Sequence, residues 1–249
     1  MKRNYVVLGG TNGIGRSIVE RIFSENEEAS VLVSYGHDDK AAMQLKTSLF
    51  DEESDRLILV KTDMSKRENI DLLYAEIEKH FSESNKIDRL VLNIGVGNYK
   101  PFDAYRFDDW DRVMETNLTI PIFLIQRFKT SGLLSHDASI LLMSSHMGQV
   151  PHSSSLVYSI SKAGLSFASK LLVKEFEPLG VRINALAPGF IETRWQDGRS
   201  QESRDRINAK IALHRFGSPS EVADAAIFLL ENTYMNGSIV TIDGGYNYF

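Results

Sequence analysis

The chain of 249 residues carries 28 Lys and Arg against 33 Asp and Glu, a formal net charge of −5, with 43% hydrophobic and 10% aromatic residues. Mild acidity and scattered charge leave no basic stripe for neutralising phosphates, which argues against nucleic-acid binding. The lack of Cys excludes disulfides and thiolate zinc sites, and a chain of this length buries roughly 70–75% of its unfolded surface without a structural metal.

Tyr5-Val6-Val7-Leu8 predicts a buried first strand, followed by a glycine turn and a helix with apolar residues at Ile18, Val19 and Ile22. A second strand is expected at Ser30–Ser34, a helix over 39–50 and a third strand at Leu57–Val60. After Asp63 an amphipathic segment carries Ile70, Leu73, Ile77 and Phe81, and a strand at Arg89–Asn93 follows. The later elements repeat the plan: a helix near 108–130, a strand at Ser139–Met143, a helix near 155–178 and a strand at Val181–Ala185. Residues 190–214 are polar with little periodicity and read as a substrate-binding lid. Ser218-Pro219-Ser220-Glu221 reads as a capping box opening a helix to Leu230, and Ser238–Ile242 as the last strand. Near-continuous apolar strands alternating with helices indicate a parallel sheet covered on both faces, a doubly wound α/β fold. No linker or repeat divides the chain, so residues 1–249 are expected to form one domain. The longest apolar run, Ile120 to Ile125, is interrupted by Pro121 and falls short of the ~20 residues of a spanning helix. The glycine turn ends the apolar stretch after Lys2 and Arg3 too early for a signal-peptide core, so a cytoplasmic protein without membrane association is expected.

Between the first strand and helix, Gly9-Gly10-Thr11-Asn12-Gly13-Ile14-Gly15 has the composition that lets backbone N–H groups approach a pyrophosphate at a helix N-terminus. The alternative is a loop that only turns the chain. Asp63 lies at the carboxyl edge of the sheet, where ligands bind, or it caps a helix beginning at Met64 or Ser65. Tyr158 and Lys162, four residues apart, share one helix face. An ammonium there lowers a phenol's pKa and suits it to proton transfer, although such pairs are also common on solvated faces. Ser145, at the end of the 139–143 strand, reaches the same crevice and suits a hydrogen bond to a polarised carbonyl oxygen.

With these motifs in order, the chain resembles the short-chain dehydrogenase/reductase family from end to end, in its compact single-domain form. The family's glycine turn falls on Gly9, Gly13 and Gly15, its acid after the third strand on Asp63, its Asn-Asn-Ala-Gly element on Leu92-Asn93-Ile94-Gly95 and its helix-borne Asn on Asn117. Its Ser, Tyr and Lys fall on Ser145, Tyr158 and Lys162, and its Pro-Gly segment on Pro188-Gly189-Phe190-Ile191-Glu192-Thr193. Residues 214–221 and 236–245 match its C-terminal signatures. The resemblance implies a Rossmann fold with a seven-stranded parallel sheet, and hydride transfer between a nicotinamide and a carbonyl or secondary alcohol. It implies Tyr158 as proton donor, Ser145 holding the oxygen, Lys162 binding ribose and lowering the Tyr158 pKa, and Asn117 fixing a water that feeds the relay. It places cofactor contacts at Gly9, Thr11, Asn12, Gly13, Ile14 and Gly15 in the turn, and at Ser34, Tyr35 and His37 after the second strand. Further contacts fall at Asp63, Met64, Asn93 and Gly95, at Tyr158 and Lys162, and at Pro188, Gly189, Ile191 and Thr193. Leu8 and Leu92 stand where the family has Thr and Asn, and Ile94 where it has Ala.

An acid at the end of the second strand would select NAD, whereas this chain has Ser34-Tyr35-Gly36-His37, with Asp38 and Asp39 later. NADP(H) is therefore favoured over NAD(H), with Arg16, His37 and Lys40 as candidate phosphate partners because Asn12 replaces the usual basic residue. The overall look is to β-ketoacyl-acyl-carrier-protein reductases and related ketoreductases. Their carrier-docking basic residues correspond to His136 and Leu179, so carrier docking is disfavoured and a specialised ketoreductase preferred. An NAD-dependent alcohol, polyol or sugar dehydrogenase and a non-catalytic NADP(H) sensor are the alternatives. His146, Gln149, His152 and Trp195 are candidate substrate contacts; Arg194, Arg199, Arg204 and Arg206 could attract an anionic substrate, but with Glu192, Asp197, Glu202 and Asp205 among them a solvated charged helix is the better reading. No metal site is expected. Relatives assemble as tetramers through helices near 108–130 and 155–178, and Tyr246–Phe249 is expected at such an interface.

Overall fold

In the computed structural model, which describes residues 2–50, 54–152 and 154–246, seven strands form one parallel sheet. These are β1 (Asn4–Leu8), β2 (Ser30–Tyr35), β3 (Leu57–Lys61), β4 (Ile87–Leu92), β5 (Leu134–Met143), β6 (Arg182–Pro188) and β7 (Ile239–Ile242), in the order β3-β2-β1-β4-β5-β6-β7. The order reverses between β1 and β4, which opens a crevice at their carboxyl ends. Side chains alternate across the sheet, so each strand feeds two cores. Tyr5 and Val7 of β1, with Val31 and Val33 of β2, face α1 (Gly13–Glu25), α2 (Asp39–Leu49) and α8 (Pro219–Glu231). Val6 and Leu8, with Leu90 and Leu92 of β4, face α3 (Asn69–His80), α5 (Ile120–Thr130) and α6 (Leu156–Phe176). Leu8 and Leu92 are register partners, both buried in that second core.

The capping box at Ser218 is present: Oγ of Ser218 accepts from the Glu221 N–H at 3.2 Å, and Glu221 Oε2 accepts from the Ser218 N–H at 2.7 Å. The helix expected over 108–130 is instead α4 (Phe107–Met114) and α5 joined by a single π-turn at Glu115–Thr119, which holds Asn117. Asp63 does not cap α3; it accepts from the Ser65 N–H and hydroxyl in a local turn, and α3 starts later, at Asn69. Leu156–Leu179 is the one stretch among the described residues long and apolar enough to cross a membrane, with a mean hydropathy of 1.2. Counting contiguous apolar runs overlooks it because Ser and Lys interrupt the stretch; 44% of it is buried in the fold. The 190–214 segment is less polar in effect than its composition suggests. Phe190, Ile207 and Ile211 are buried with Phe216 against Met147, Val157 and Tyr158, and α7 (Gln201–Asn208) rises from that anchor.

Candidate active site

The glycine turn follows from what side chains would do there. Gly9 and Gly13 have φ of +77° and +51°, and a Cβ at Gly15 would stand 2.1 Å from the Gly9 carbonyl oxygen. Asn93, at the end of β4, donates through Nδ2 to the Gly9 carbonyl at 2.9 Å, and Ser34 Oγ accepts from the Gly9 N–H at 3.3 Å. The N-cap of α1, Asn12, makes no side-chain cap bond and no acid lies in the first turn, so the helix N-terminus faces the crevice with its donors and positive end available. These features fit a dinucleotide pyrophosphate. Gly95 fits the same reading: a Cβ there would lie 3.3 Å from Lys162 Nζ and 3.5 Å from Asn117 Oδ1.

One cavity of about 260 Å3 joins this turn to the carboxyl ends of β4, β5 and β6. Its lining brings together Asn12, Gly13, Ile14, Asn93 and Gly95 with Ser145, Tyr158 and Lys162, and with Pro188, Gly189, Ile191 and Thr193. The remaining expected cofactor residues lie outside that lining. Gly9 and Gly15 shape the turn, Thr11 and Met64 are buried, Tyr35 donates to Asp39 at 3.1 Å, and His37 Nε2 sits 3.5 Å from Asp63.

Tyr158 and Lys162 project from α6, which is pinned beneath them. Ser144 Oγ donates to the Lys162 carbonyl at 2.9 Å, and Gly148 lies so close that a Cβ would be 2.7 Å from Lys162 C and Ala163 N. Burial raises the Tyr158 phenol pKa well above its ordinary value, the neighbouring Tyr99 adds to this, and a hydrogen bond from Ser145 opposes it. Burial pushes Lys162 down to about 8. Lys162 Nζ donates to the Met143 carbonyl at 2.8 Å and stands 5.9 Å from the Tyr158 ring centroid. Asn117 sits in the π-turn between α4 and α5. Its Oδ1 accepts from the Val96 N–H at 2.8 Å, and Nδ2 donates to the Val96 carbonyl at 2.9 Å and to Ser161 Oγ at 3.1 Å, so the side chain braces the loop after β4 against α6.

Of the four expected substrate contacts, only Trp195 lines the cavity. His146 is buried behind it, between Phe190 and Tyr246, with burial holding its pKa down. Gln149 accepts from Thr241 at 3.1 Å, and His152 meets the Phe190 ring in a tilted contact with centroids 5.9 Å apart. Tyr246 packs inside its own chain, and Asn247–Phe249 lie outside the described residues. Unforeseen from sequence is Tyr99, and the places of Arg199 and the acid Asp38 in the site differ from their sequence readings. Tyr99 follows the carboxyl end of β4, the same rule that pointed to the loops after β5 and β6, and its hydroxyl accepts from Trp195 Nε1 at 2.9 Å. Both rings stand against Tyr158, at 5.8 and 6.0 Å between centroids. Asp38 reaches back to the glycine turn, accepting from Asn12 Nδ2 at 3.4 Å and pairing with Arg194. Of the expected phosphate partners, Arg16 pairs with Glu20 at 2.7 Å and His37 Nε2 stands 3.5 Å from Asp63. His136 and Leu179 are not at the mouth of the site. They lie at the amino-terminal edge of the sheet, separated from Tyr158 by most of α6, whose 21 residues span about 30 Å.

A family model described as Enoyl-(Acyl carrier protein) reductase, a short-chain dehydrogenase/reductase model, matches residues 9–247. The chain belongs to the short-chain dehydrogenase/reductase family. It is 31% identical over 246 residues to glucose 1-dehydrogenase 2 of Bacillus subtilis, covering 96% of this chain and 93% of the relative. It is 31% identical over 242 residues to the 3-oxoacyl-acyl-carrier-protein reductase FabG of Aquifex aeolicus, covering 96% and 95%. The crystal structure of BdcA in complex with NADPH superimposes with a TM-score of 0.84 at 27% identity, over 98% of this chain and 93% of that one. This family member is an oxidoreductase of the alcohol and carbonyl class that binds NAD(P).

Proposed function

We propose that the chain is an NADPH-dependent reductase of a small keto substrate, folded as one domain with 190–214 as its lid. The observation that carries this reading is the convergence of Ser145, Tyr158 and Lys162 on one cavity with the glycine turn and Pro188-Gly189. When bound, the nicotinamide supplies hydride to the carbonyl carbon. Tyr158 donates its phenolic proton to the carbonyl oxygen as negative charge develops there. Ser145 hydrogen-bonds the same oxygen and fixes its position. Lys162 would hold the ribose hydroxyls of a bound dinucleotide, and Asn117 positions the loop that walls off Lys162. Arg194, which pairs with Asp38 beside the turn, supports a 2′-phosphate, as does the NADPH complex of BdcA.

Asp38 favours a second reading, an NAD(H)-dependent alcohol or sugar dehydrogenase. Its carboxylate beside Asn12 suits a ribose 2′-hydroxyl, and glucose 1-dehydrogenase 2 is among the relatives. Exposed Phe107, Phe123, Phe167 and Leu171 on α4, α5 and α6 support a homo-oligomer assembled through those helices. The test is oxidation of NADPH and of NADH against β-ketoacyl thioesters, cyclic ketones, quinones and keto sugars, with Tyr158→Phe in parallel. Turnover with NADPH that Tyr158→Phe abolishes while dinucleotide affinity stays constant supports the first reading. Equal turnover in the variant refutes the role of Tyr158, and a preference for NADH selects the second reading.

A further inference from the structure

Four arginines lie in the 194–206 stretch, and the structure separates them. Arg194 pairs with Asp38, Arg204 pairs with Glu192, and Arg206 is exposed on α7. Arg199 differs from all three. It lines the cavity that holds Tyr158, it is half-buried, and among the described residues no carboxylate lies within ion-pair distance.

Neutral groups fix its guanidinium. Nε donates to Gln196 Oε1 at 2.9 Å, Nη1 donates to Ser203 Oγ at 3.2 Å, and the plane lies over Phe190 with Cζ 5.6 Å from the ring centroid. Gln196 is itself buried, so the fork is held from behind by a group that cannot swing away. A guanidinium has five N–H donors. Two are used here, which leaves three and an uncompensated charge at the wall of the cavity. The position is at the substrate end rather than the phosphate end. Arg199 neighbours Phe190, and its charge is felt at the Tyr99 phenol, whereas the glycine turn faces Asn12 and Arg194. The neighbouring surfaces of Tyr99, Trp195 and Phe190 are flat and apolar, and the cavity of about 260 Å3 must also admit a nicotinamide.

We propose that Arg199 is the anion-reading residue of the substrate pocket, and that the substrate is a small, ring-sized ketone or alcohol carrying a carboxylate. This rests on the oxidoreductase reading above for the reacting carbonyl, but the carboxylate subsite stands on its own geometry. A carboxylate takes two of the free N–H donors in the bidentate manner that arginine favours, and the charge it brings balances one that no carboxylate among the described residues pairs. The reacting carbonyl then lies under Tyr158 and Ser145, against the Tyr99 and Trp195 rings.

The experiment compares 4-oxocyclohexanecarboxylate with its methyl ester and its carboxamide, at low and high salt, in the wild type, Arg199→Gln and Arg199→Lys. The expected result is a kcat/KM for the acid roughly 10- to 100-fold above the neutral analogues, as befits a charge-assisted pair, with the ratio shrinking in salt. Arg199→Gln should bring the ratio toward one, and Arg199→Lys should restore part of it. A wild-type ratio of one or below overturns the proposal, and so does a ratio that Arg199→Gln leaves in place. A loss of dinucleotide affinity in Arg199→Gln that matches the loss of turnover also overturns it, because the cation would then serve the cofactor. If none of the three ketones turns over, calorimetry with cyclohexanecarboxylate against cyclohexanecarboxamide decides. Acid-selective binding abolished by Arg199→Gln upholds the subsite while the ketone reading fails; equal binding of the two overturns the subsite.

Discussion

Gly148→Ala tests how tightly the catalytic geometry depends on one backbone contact. The added methyl would stand 2.7 Å from Lys162 C and from Ala163 N, and 3.1 Å from the Lys162 carbonyl oxygen. All three are helix backbone atoms, so no side chain can yield. Reaching ordinary contact near 3.4 Å requires a displacement of about 0.7 Å between the Ser145–Gly148 segment and α6. That is the separation that sets Ser145 against Tyr158 and Lys162. Overpacking of this kind costs about 1–3 kcal/mol, or roughly 5 °C in Tm for a chain of this size. A shift approaching 1 Å costs up to about 100-fold in rate, so kcat/KM should fall roughly 10- to 100-fold. The assay is steady-state reduction of the best ketone from the panel, alongside a thermal melt. A Tm within 1 °C of wild type together with a kcat/KM within about twofold would refute the reasoning, since the contact could not then be as close as it is drawn.

Asp38→Asn removes the carboxylate beside Asn12 and frees Arg194, so the ratio of kcat/KM for NADPH over NADH should rise about tenfold; an unchanged ratio would show that Asp38 does not read the ribose. Lys162, pushed down to about 8 by burial, loses its proton above that value, so kcat/KM should decline above about pH 8, and Lys162→Arg should abolish that limb. A wild-type profile flat to about pH 9.5 would contradict this. At the opposite edge of the sheet, burial pushes Glu231 up, but Arg89 and Arg3 outweigh it and hold its pKa below the ordinary value. Its stabilisation is therefore complete above the unfolded pKa of about 4.3 and is lost as pH falls through the lower folded value. Glu231→Gln should cost about 2–3 kcal/mol at pH 7 in denaturant melts, because Arg89 is almost fully buried, and should flatten the acid limb of stability. Ser218→Ala should cost about 1 kcal/mol through loss of the capping box, measured in the same melts.

Local chemistry was legible in the chain wherever one short segment determines it. The turn from Gly9 to Gly15, the spacing of Tyr158 and Lys162 and the capping box at Ser218 are set by residues close in sequence. What could not be read depends on loops meeting across the crevice. Asp38 was dismissed as too late in the chain for the ribose, yet the bend after β2 turns it back to Asn12. Arg199 looked like one of several solvated cations, and only the pairing of Arg194 and Arg204 with acids elsewhere distinguishes it. The π-turn at Asn117 leaves no mark in the periodicity: Val113, Asn117, Ile120, Leu124 and Phe128 are buried at ordinary three- and four-residue spacing across it.

The two departures at Leu8 and Leu92 are one departure, because the residues sit side by side in register on the same buried face. A polar side chain returned to either position alone would face a leucine and the apolar cores of α3 and α5, with an unsatisfied group costing about 1–3 kcal/mol. Returned together, each would gain a polar neighbour across the register pair. The pair therefore behaves as a single heritable unit in which each step alone is a valley, so a Thr grafted here from a relative should fail unless the Asn travels with it.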